Sequence, residues 1–430
     1  MWLILITFDR VREVNSKKGN IALAQNLSRV SITEKLGFTS HAGFFTVDKK
    51  FNSNLYFWYF PAFSKKSDAP VVLWLQGGPG GSSLFGLFTE NGPLIVTKDG
   101  FSIRKYHWSL EYNLIFIDNP AGTGFSFTDD KGYCTDEQCI AKGLYNSLQQ
   151  FFTLFPHLRN NEFYVTGESY AGKYIPSLAM EIHEENLVND QKINLKGLAL
   201  GNAYCDPVNQ MDYGNYLYQH GLIDEKQKNF FIKMQTEIVW EIKKENWVQA
   251  GILMDTLMDG DLTNFSYFQN YTGFKDYYNF LIPNDMSDMS IYIKLLNSDA
   301  VRKSVHVGGL PFNSGKEVQI HLAMDILKSV AGYVSELLSH YRVLFYNGQL
   351  DIIVAYPLTE NFLRNLNFSS AGDYRKAPRK IWRVDDEIAG YVKKAGNLTE
   401  VLVRNAGHMV PHDQPKWAFD LITRFINNKL

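Results

Sequence analysis

Ser169 lies in the run Gly167-Glu168-Ser169-Tyr170-Ala171-Gly172-Lys173, between two unlike patterns. Before it, residues 163–166 are aromatic and β-branched, the signature of a short buried strand. After it, Ile175, Leu178, Ala179 and Ile182 recur at helical spacing. A serine in such a strand-to-helix turn has its hydroxyl pushed out at the carboxyl end of a sheet, with the next helix aiming its N-terminus at whatever reacts there. A serine so placed is either a turn residue or a nucleophile, and a nucleophilic serine needs a base and donors for the charge that develops on its target, so the rest of the chain decides.

In hydrolases built this way the chain order is serine, acid, histidine. Asp351 follows the apolar run 343–346 in Asn347-Gly348-Gln349-Leu350-Asp351, and His408 follows the run 401–403 in Asn405-Ala406-Gly407-His408-Met409-Val410-Pro411. Both sit just past strand ends, where acting groups belong. Other histidines have poorer positions: His183 in a helical pattern, His157 in a polar connection, His412 beyond the turn. The oxyanion donors are sought in Trp74-Leu75-Gln76-Gly77-Gly78-Pro79-Gly80-Gly81-Ser82-Ser83, whose glycines let backbone amides approach a ligand closely. A phosphate loop would need Gly-Lys-Ser or Gly-Lys-Thr, which is absent. The expected pair of donors is therefore the amide of Tyr170 with that of Gly78.

Strand-like runs at 43–47, 55–60, 71–75, 114–117, 163–166, 198–200, 343–346, 381–384 and 401–403 must position these groups. The first two, split by a polar turn, predict an antiparallel hairpin. Later strands alternate with helices, which predicts an α/β fold with a mostly parallel sheet and helices on both faces. The expected organisation is an N-terminal arm (1–36), a first part of the core (37–208), a largely helical cap insertion (209–300) and a second part of the core (301–430). Within the insertion, Asp224 and Gln227 form a capping-box pattern ahead of Phe231, Met234, Ile238 and Ile242, and a second helix is expected over 247–258.

With 430 residues, 45% of them hydrophobic, and a net charge of −2, the chain can bury a large core and shows no basic block for nucleic acid or an anionic membrane surface. The apolar stretch 2–8 is too short to span a membrane. It has no basic leader, so either no secretory signal is present or the N-terminus is a remnant. Of three cysteines, Cys134 and Cys139 either bridge locally or stand as free thiols, and no second pair completes a zinc site. Glycosylation sequons fall at Asn26, Asn264, Asn270, Asn367 and Asn397.

Taken together, Asp118-Asn-Pro-Ala-Gly-Thr-Gly-Phe-Ser126, the Gly167 to Lys173 run, Val301-Arg-Lys-Ser-Val-His-Val-Gly308 and Gly407-His-Met-Val-Pro411 resemble the serine carboxypeptidases, a family of the α/β-hydrolase fold. The likeness runs from about residue 38 to the C-terminus. Gln76, Gly81 and Tyr346-Asn-Gly-Gln-Leu-Asp-Ile-Ile-Val354 are most similar to the vitellogenic carboxypeptidase-like branch. The resemblance implies a triad of Ser169, Asp351 and His408 that cleaves the C-terminal bond of peptides or proteins through an acyl-enzyme, without cofactor or metal. It implies recognition of the substrate carboxylate by Gln76, the amide of Gly77, and Glu168 linked to Glu90, a pair of acids that must share a proton with the carboxylate. Acidic pH should therefore favour binding. Phe85 and Met409, with Tyr170, are expected to line an apolar substrate pocket.

Most relatives carry asparagine at position 76 and cysteine at position 81, so carboxylate recognition by Gln76 stands apart from the family pattern. The resemblance also implies a secreted or lysosomal setting. Two other readings use the same residues: an esterase or acyltransferase, and a retired binding or storage protein, which the loss of a triad residue would favour. None is missing.

Overall fold

The computed structural model describes residues 3–7, 10–14, 18–98, 100–282 and 291–430. Two compact units emerge: Met1–Gly167, Tyr174–Ala199 and Ser287–His321 form the first, and Glu168–Lys173, Leu200–Met286 and Leu322–Leu430 the second.

In the first unit the central strands are largely apolar because both sheet faces are covered there. Val71–Leu75 and Asn113–Ile117 are buried at every residue. The strand order is Leu195–Gly201, Phe163–Glu168, Val71–Leu75, Asn113–Ile117, Ser53–Phe60, His41–Asp48, Leu3–Thr7, Arg10–Val14. Val71–Leu75 runs parallel to both Phe163–Glu168 and Asn113–Ile117. The expected hairpin is His41–Asp48 with Ser53–Phe60. The helix Glu137–Leu154 starts where the Asp136 carboxylate accepts from the Cys139 amide at 2.8 Å. Its Phe151 ring meets Phe57 and Tyr59 of the hairpin. Leu5 pairs with Phe45, one strand in from the sheet edge, while Trp2 and Phe8, the ends of the apolar stretch seen in the sequence, lie outside the described residues.

In the second unit, Lys380–Val384, Glu387–Ala395, Leu398–Val403 and Arg342–Gly348 stand side by side in that order. The last two are parallel, with Gly348 opposite Val403. This register brings the loops of Asp351 and His408 off the same end of adjacent strands. Between residues 209 and 282 the chain is helical: Tyr213–Gln219, Glu225–Lys243, Trp247–Met254 and Tyr267–Thr272. Asp224 and Gln227 close the expected capping box. The second helix is shorter than expected and gives way to a wider π-type turn, Asp255–Asp259, that ends at Gly260 in the left-handed region. Phe231, Ile238, Leu257 and Phe268 share one apolar cluster with Ile352 and Leu358, so the helical segment is built onto the loop that carries Asp351.

Candidate active site

Ser169 comes directly after the strand Phe163–Glu168 and one residue before the helix Ala171–Val188, with φ of 61°. For a residue with a Cβ this conformation costs on the order of 1 kcal/mol or more. Backbone bonds hold it: the Ser169 amide donates to the Gly201 carbonyl at 3.0 Å, and its carbonyl accepts from Gly172 at 2.9 Å and Tyr204 at 3.0 Å. The strain leaves Ser169 partly exposed between Glu168 and Tyr170, both buried. Tyr170 stands at the helix start, where amides face the positive end of the dipole. One turn in, Lys173 is 0% exposed; its ammonium donates to the Asp325 and Ile326 carbonyls and lies 3.6 Å from the Asp325 carboxylate. The buried Cys205 thiol donates to the Gly172 carbonyl at 3.0 Å. Neither brace was foreseen from sequence, although a lysine beside Tyr174 and Ile175 on an apolar helix is a readable signal.

Asp351 and His408, 57 residues apart, meet at 2.8 Å between Oδ2 and Nδ1. Both are buried, at 0% and 2% exposure. An ionised carboxylate only accepts, so the Nδ1 proton faces Asp351 and the lone pair resides on Nε2. The Asp351 carboxylate is fully engaged: Oδ2 also accepts from the Asn202 side-chain amide at 2.6 Å, and Oδ1 from the Ile353 amide at 3.0 Å. His408 is fixed through its own amide, which donates to the Tyr278 carbonyl at 2.7 Å, while the Tyr278 ring lies 5.3 Å from the imidazole. A Cβ at Gly407 would stand 2.4 Å from that Tyr278 carbonyl, so the approach requires glycine. Ile352 donates to Tyr277 and Phe280 to Leu350, which threads the helical segment's exit between the two loops. Nε2 is buried and makes no hydrogen bond among the described residues, to Ser169 Oγ included. In hydrolases such a bond often tightens only in the Michaelis complex.

In the first unit, Gln76, Gly77 and Gly78 follow the strand Val71–Leu75. The Gln76 side-chain oxygen accepts from the Trp74 indole at 3.0 Å, and the Gln76 backbone N–H donates to Ser83 Oγ at 3.1 Å. Gly78 has φ of 114°, and a Cβ there would lie 2.7 Å from the Gly81 nitrogen. Downstream, Phe85 is partly exposed with its ring 6.4 Å from that of Tyr292, and Glu90 is completely buried. Arg104, which the sequence reading passed over, donates to the Gly92 and Phe88 carbonyls. Burial holds its guanidinium down to about 10, and the Glu90 charge opposes that fall. Met409, the other pocket residue expected from sequence, is buried in the second unit. Cys134 and Cys139 are joined by a disulfide.

Asp118 anchors the glycine-rich loop. Its buried carboxylate accepts from Ser82 Oγ at 2.5 Å and from the Phe125 amide at 2.9 Å. Burial pushes this acid up to about 6 from 3.8, despite those bonds. A raised folded value means that Asp118's contribution is fully present below pH 3.8 and is lost as pH rises through about 6. The loss amounts to about 3 kcal/mol. The stability gap between the parent and Asp118→Asn, read from urea midpoints, should move against the parent by up to that amount between pH 4 and pH 7. A gap constant across pH would exclude the assignment.

A family profile described as serine carboxypeptidase matches residues 31–428. The chain is 52% identical over 418 residues to a venom serine carboxypeptidase of Apis mellifera, covering 96% of this chain and 90% of that protein. It is 49% identical over 418 residues to a probable serine carboxypeptidase, CPVL, of Homo sapiens, covering 96% and 88%. With the vitellogenic carboxypeptidase of Aedes aegypti it shares 49% over 413 residues, covering 95% and 87%. Among solved structures, a prohormone-processing carboxypeptidase from Saccharomyces cerevisiae superposes with a TM-score of 0.78 at 24% identity, covering 94% of this chain and 96% of that one. The shared architecture is the α/β-hydrolase fold.

Proposed function

This chain belongs to the serine carboxypeptidase family, and on that premise we propose that Ser169, His408 and Asp351 form its catalytic triad and release single residues from peptide C-termini. The observation that carries the reading is the buried 2.8 Å bond between Asp351 and His408, which aims the imidazole and leaves Nε2 as the base. His408 takes the Ser169 proton as the hydroxyl attacks the scissile carbonyl, and returns it to the departing amino acid. Asp351 holds the tautomer and stabilises the imidazolium. The amides of Gly78 and Tyr170 receive the developing oxyanion, each worth about 3 kcal/mol of barrier. Water then attacks the acyl-enzyme by the same route in reverse.

The exopeptidase step needs recognition of a free carboxylate, assigned here to Gln76, the Gly77 amide, Glu168 and Glu90. Glu168 and Glu90 are 1% and 0% exposed, and buried acids of this kind bind a carboxylate only with a proton shared among them. Phe85 and Met409 supply apolar contacts to the substrate side chains. KM for a blocked dipeptide should rise with pH from 5 to 8, while KM for the same peptide as its C-terminal amide stays nearly level. Parallel curves for acid and amide would remove these residues from carboxylate binding.

No helix among the described residues is long and apolar enough to cross a membrane. We assign the protein to a secretory or lysosomal compartment, supported by the Cys134–Cys139 disulfide and by exposed sequon asparagines at Asn26, Asn264, Asn270 and Asn367. Unchanged electrophoretic mobility after glycosidase treatment of the native protein would count against it. Asn397 differs, since its amide donates to the Leu338 carbonyl at 2.9 Å.

A further inference from the structure

We propose that Asn202 is a positioning residue that sets the basicity of the Asp351–His408 pair, an inference that rests on the triad reading above. Asn202 follows the strand Leu195–Gly201 and adopts φ of 41°, a conformation that asparagine tolerates better than most residues. Its amide is 0% exposed and used at both ends. Nδ2 donates to Asp351 Oδ2 at 2.6 Å, and Oδ1 accepts from the Gly348 amide at 3.2 Å. The Asn202 backbone amide in turn donates to the Tyr346 carbonyl at 2.8 Å. One side chain thus fastens the acid to the end of the strand Arg342–Gly348, from which the Asp351 loop departs.

The oxygen that receives Asn202 is the same Oδ2 that receives His408. Two donors on one oxygen compete. The neutral amide spreads the carboxylate charge away from the imidazole, so the imidazolium is stabilised less than it would be by an unshared oxygen. Asn202 therefore limits how far Asp351 stabilises the imidazolium and stops the carboxylate from rotating out of line.

Several other titratable groups face this pair. Tyr216 donates its hydroxyl to the Asp351 carbonyl at 2.6 Å and Tyr213 to the Ile353 carbonyl at 2.9 Å. Tyr278 lies against the imidazole, and Asp413 accepts from the Gly407 amide at 2.6 Å. Burial raises all three tyrosines, Tyr278 to about 12, so none ionises in the working range. Asp259, pushed up to about 7 by burial and hydrogen-bonded to Tyr277, titrates in parent and variants alike. Comparing profiles removes its contribution.

Two substitutions separate the electrostatic role from a merely structural one. Asn202→Gly removes both bonds and accepts the backbone conformation. Asn202→Asp keeps the acceptor for Gly348 and loses the donor toward Asp351. In Asn202→Gly, kcat/KM should fall about tenfold with KM little changed. Its acidic limb should move up by about half a pH unit, and the His408 ring titration followed by NMR should move with it. In Asn202→Asp the profile should gain an ionisation that the parent lacks, because two carboxylates at this distance share one proton at low pH and release it as pH rises. An Asn202→Asp profile that overlays the parent's overturns the proposal, as does an unmoved His408 titration in Asn202→Gly. If Asn202→Gly does not fold, Asn202→Asp decides alone. Failure of the triad reading is distinct: the parent chain itself then trims no peptide.

Discussion

With Ser169 as the proposed nucleophile, Ser169→Ala should lower kcat for C-terminal trimming by about six orders of magnitude, the loss found when a serine hydrolase is deprived of its nucleophile. Ser169 is held at φ of 61° by Gly201, Gly172 and Tyr204, and none of these three backbone bonds involves the side chain. Alanine also carries a Cβ, so the backbone strain is the same in the variant, and Tm should stay within about 2 °C of the parent. Substrate affinity, measured by calorimetry on a blocked dipeptide, should survive, since the carboxylate contacts proposed above lie at other residues. Stepwise release of C-terminal amino acids by Ser169→Ala at a tenth of the parent rate would place the nucleophile at another residue.

The residues of the proposed triad stand out in the sequence because each sits beside a strong local signal. Ser169 marks the switch from strand to helical periodicity, and Asp351 and His408 follow apolar runs that are strands in the structure, Arg342–Gly348 and Leu398–Val403. What holds the triad was not legible. Asn202 is an asparagine after a glycine, a pair that reads as a turn, and nothing in its local pattern ties its amide to Asp351, 149 residues further on. Tyr278 lies between helices with no periodicity of its own, and its hold on His408 is made by a backbone carbonyl, which leaves no trace in residue type. The strand Glu387–Ala395 was passed over for a related reason. Gly390, Lys393 and Lys394 interrupt its alternation, yet pairing with strands on either side compensates for weak propensity. Arg104 escaped notice because it serves backbone carbonyls 12 to 16 residues away rather than a motif.

Asp351→Asn should lower kcat by about three to four orders of magnitude with little change in KM. The cause is a conflict of donors that follows from how completely the carboxylate is used. Both oxygens of Asp351 accept, Oδ1 from Ile353 and Oδ2 from Asn202 and His408. An asparagine can present only one oxygen. If that oxygen takes the Oδ2 position, the new NH2 group faces the Ile353 amide, and the imidazole keeps its tautomer but loses the charge that stabilises its cation. If the amide turns over, NH2 faces the Asn202 NH2 group, and His408 must accept at Nδ1, which puts its proton on Nε2 and ends its service as a base. Either arrangement leaves one buried donor facing another, at a cost of about 1–3 kcal/mol. Unfolding in urea should therefore show a loss of that size alongside the kinetic loss, a pairing that Ser169→Ala lacks. Retention of parent-like kcat by a folded Asp351→Asn would mean that the imidazole is oriented by Tyr278 and its loop alone, and that the buried acid is a structural group.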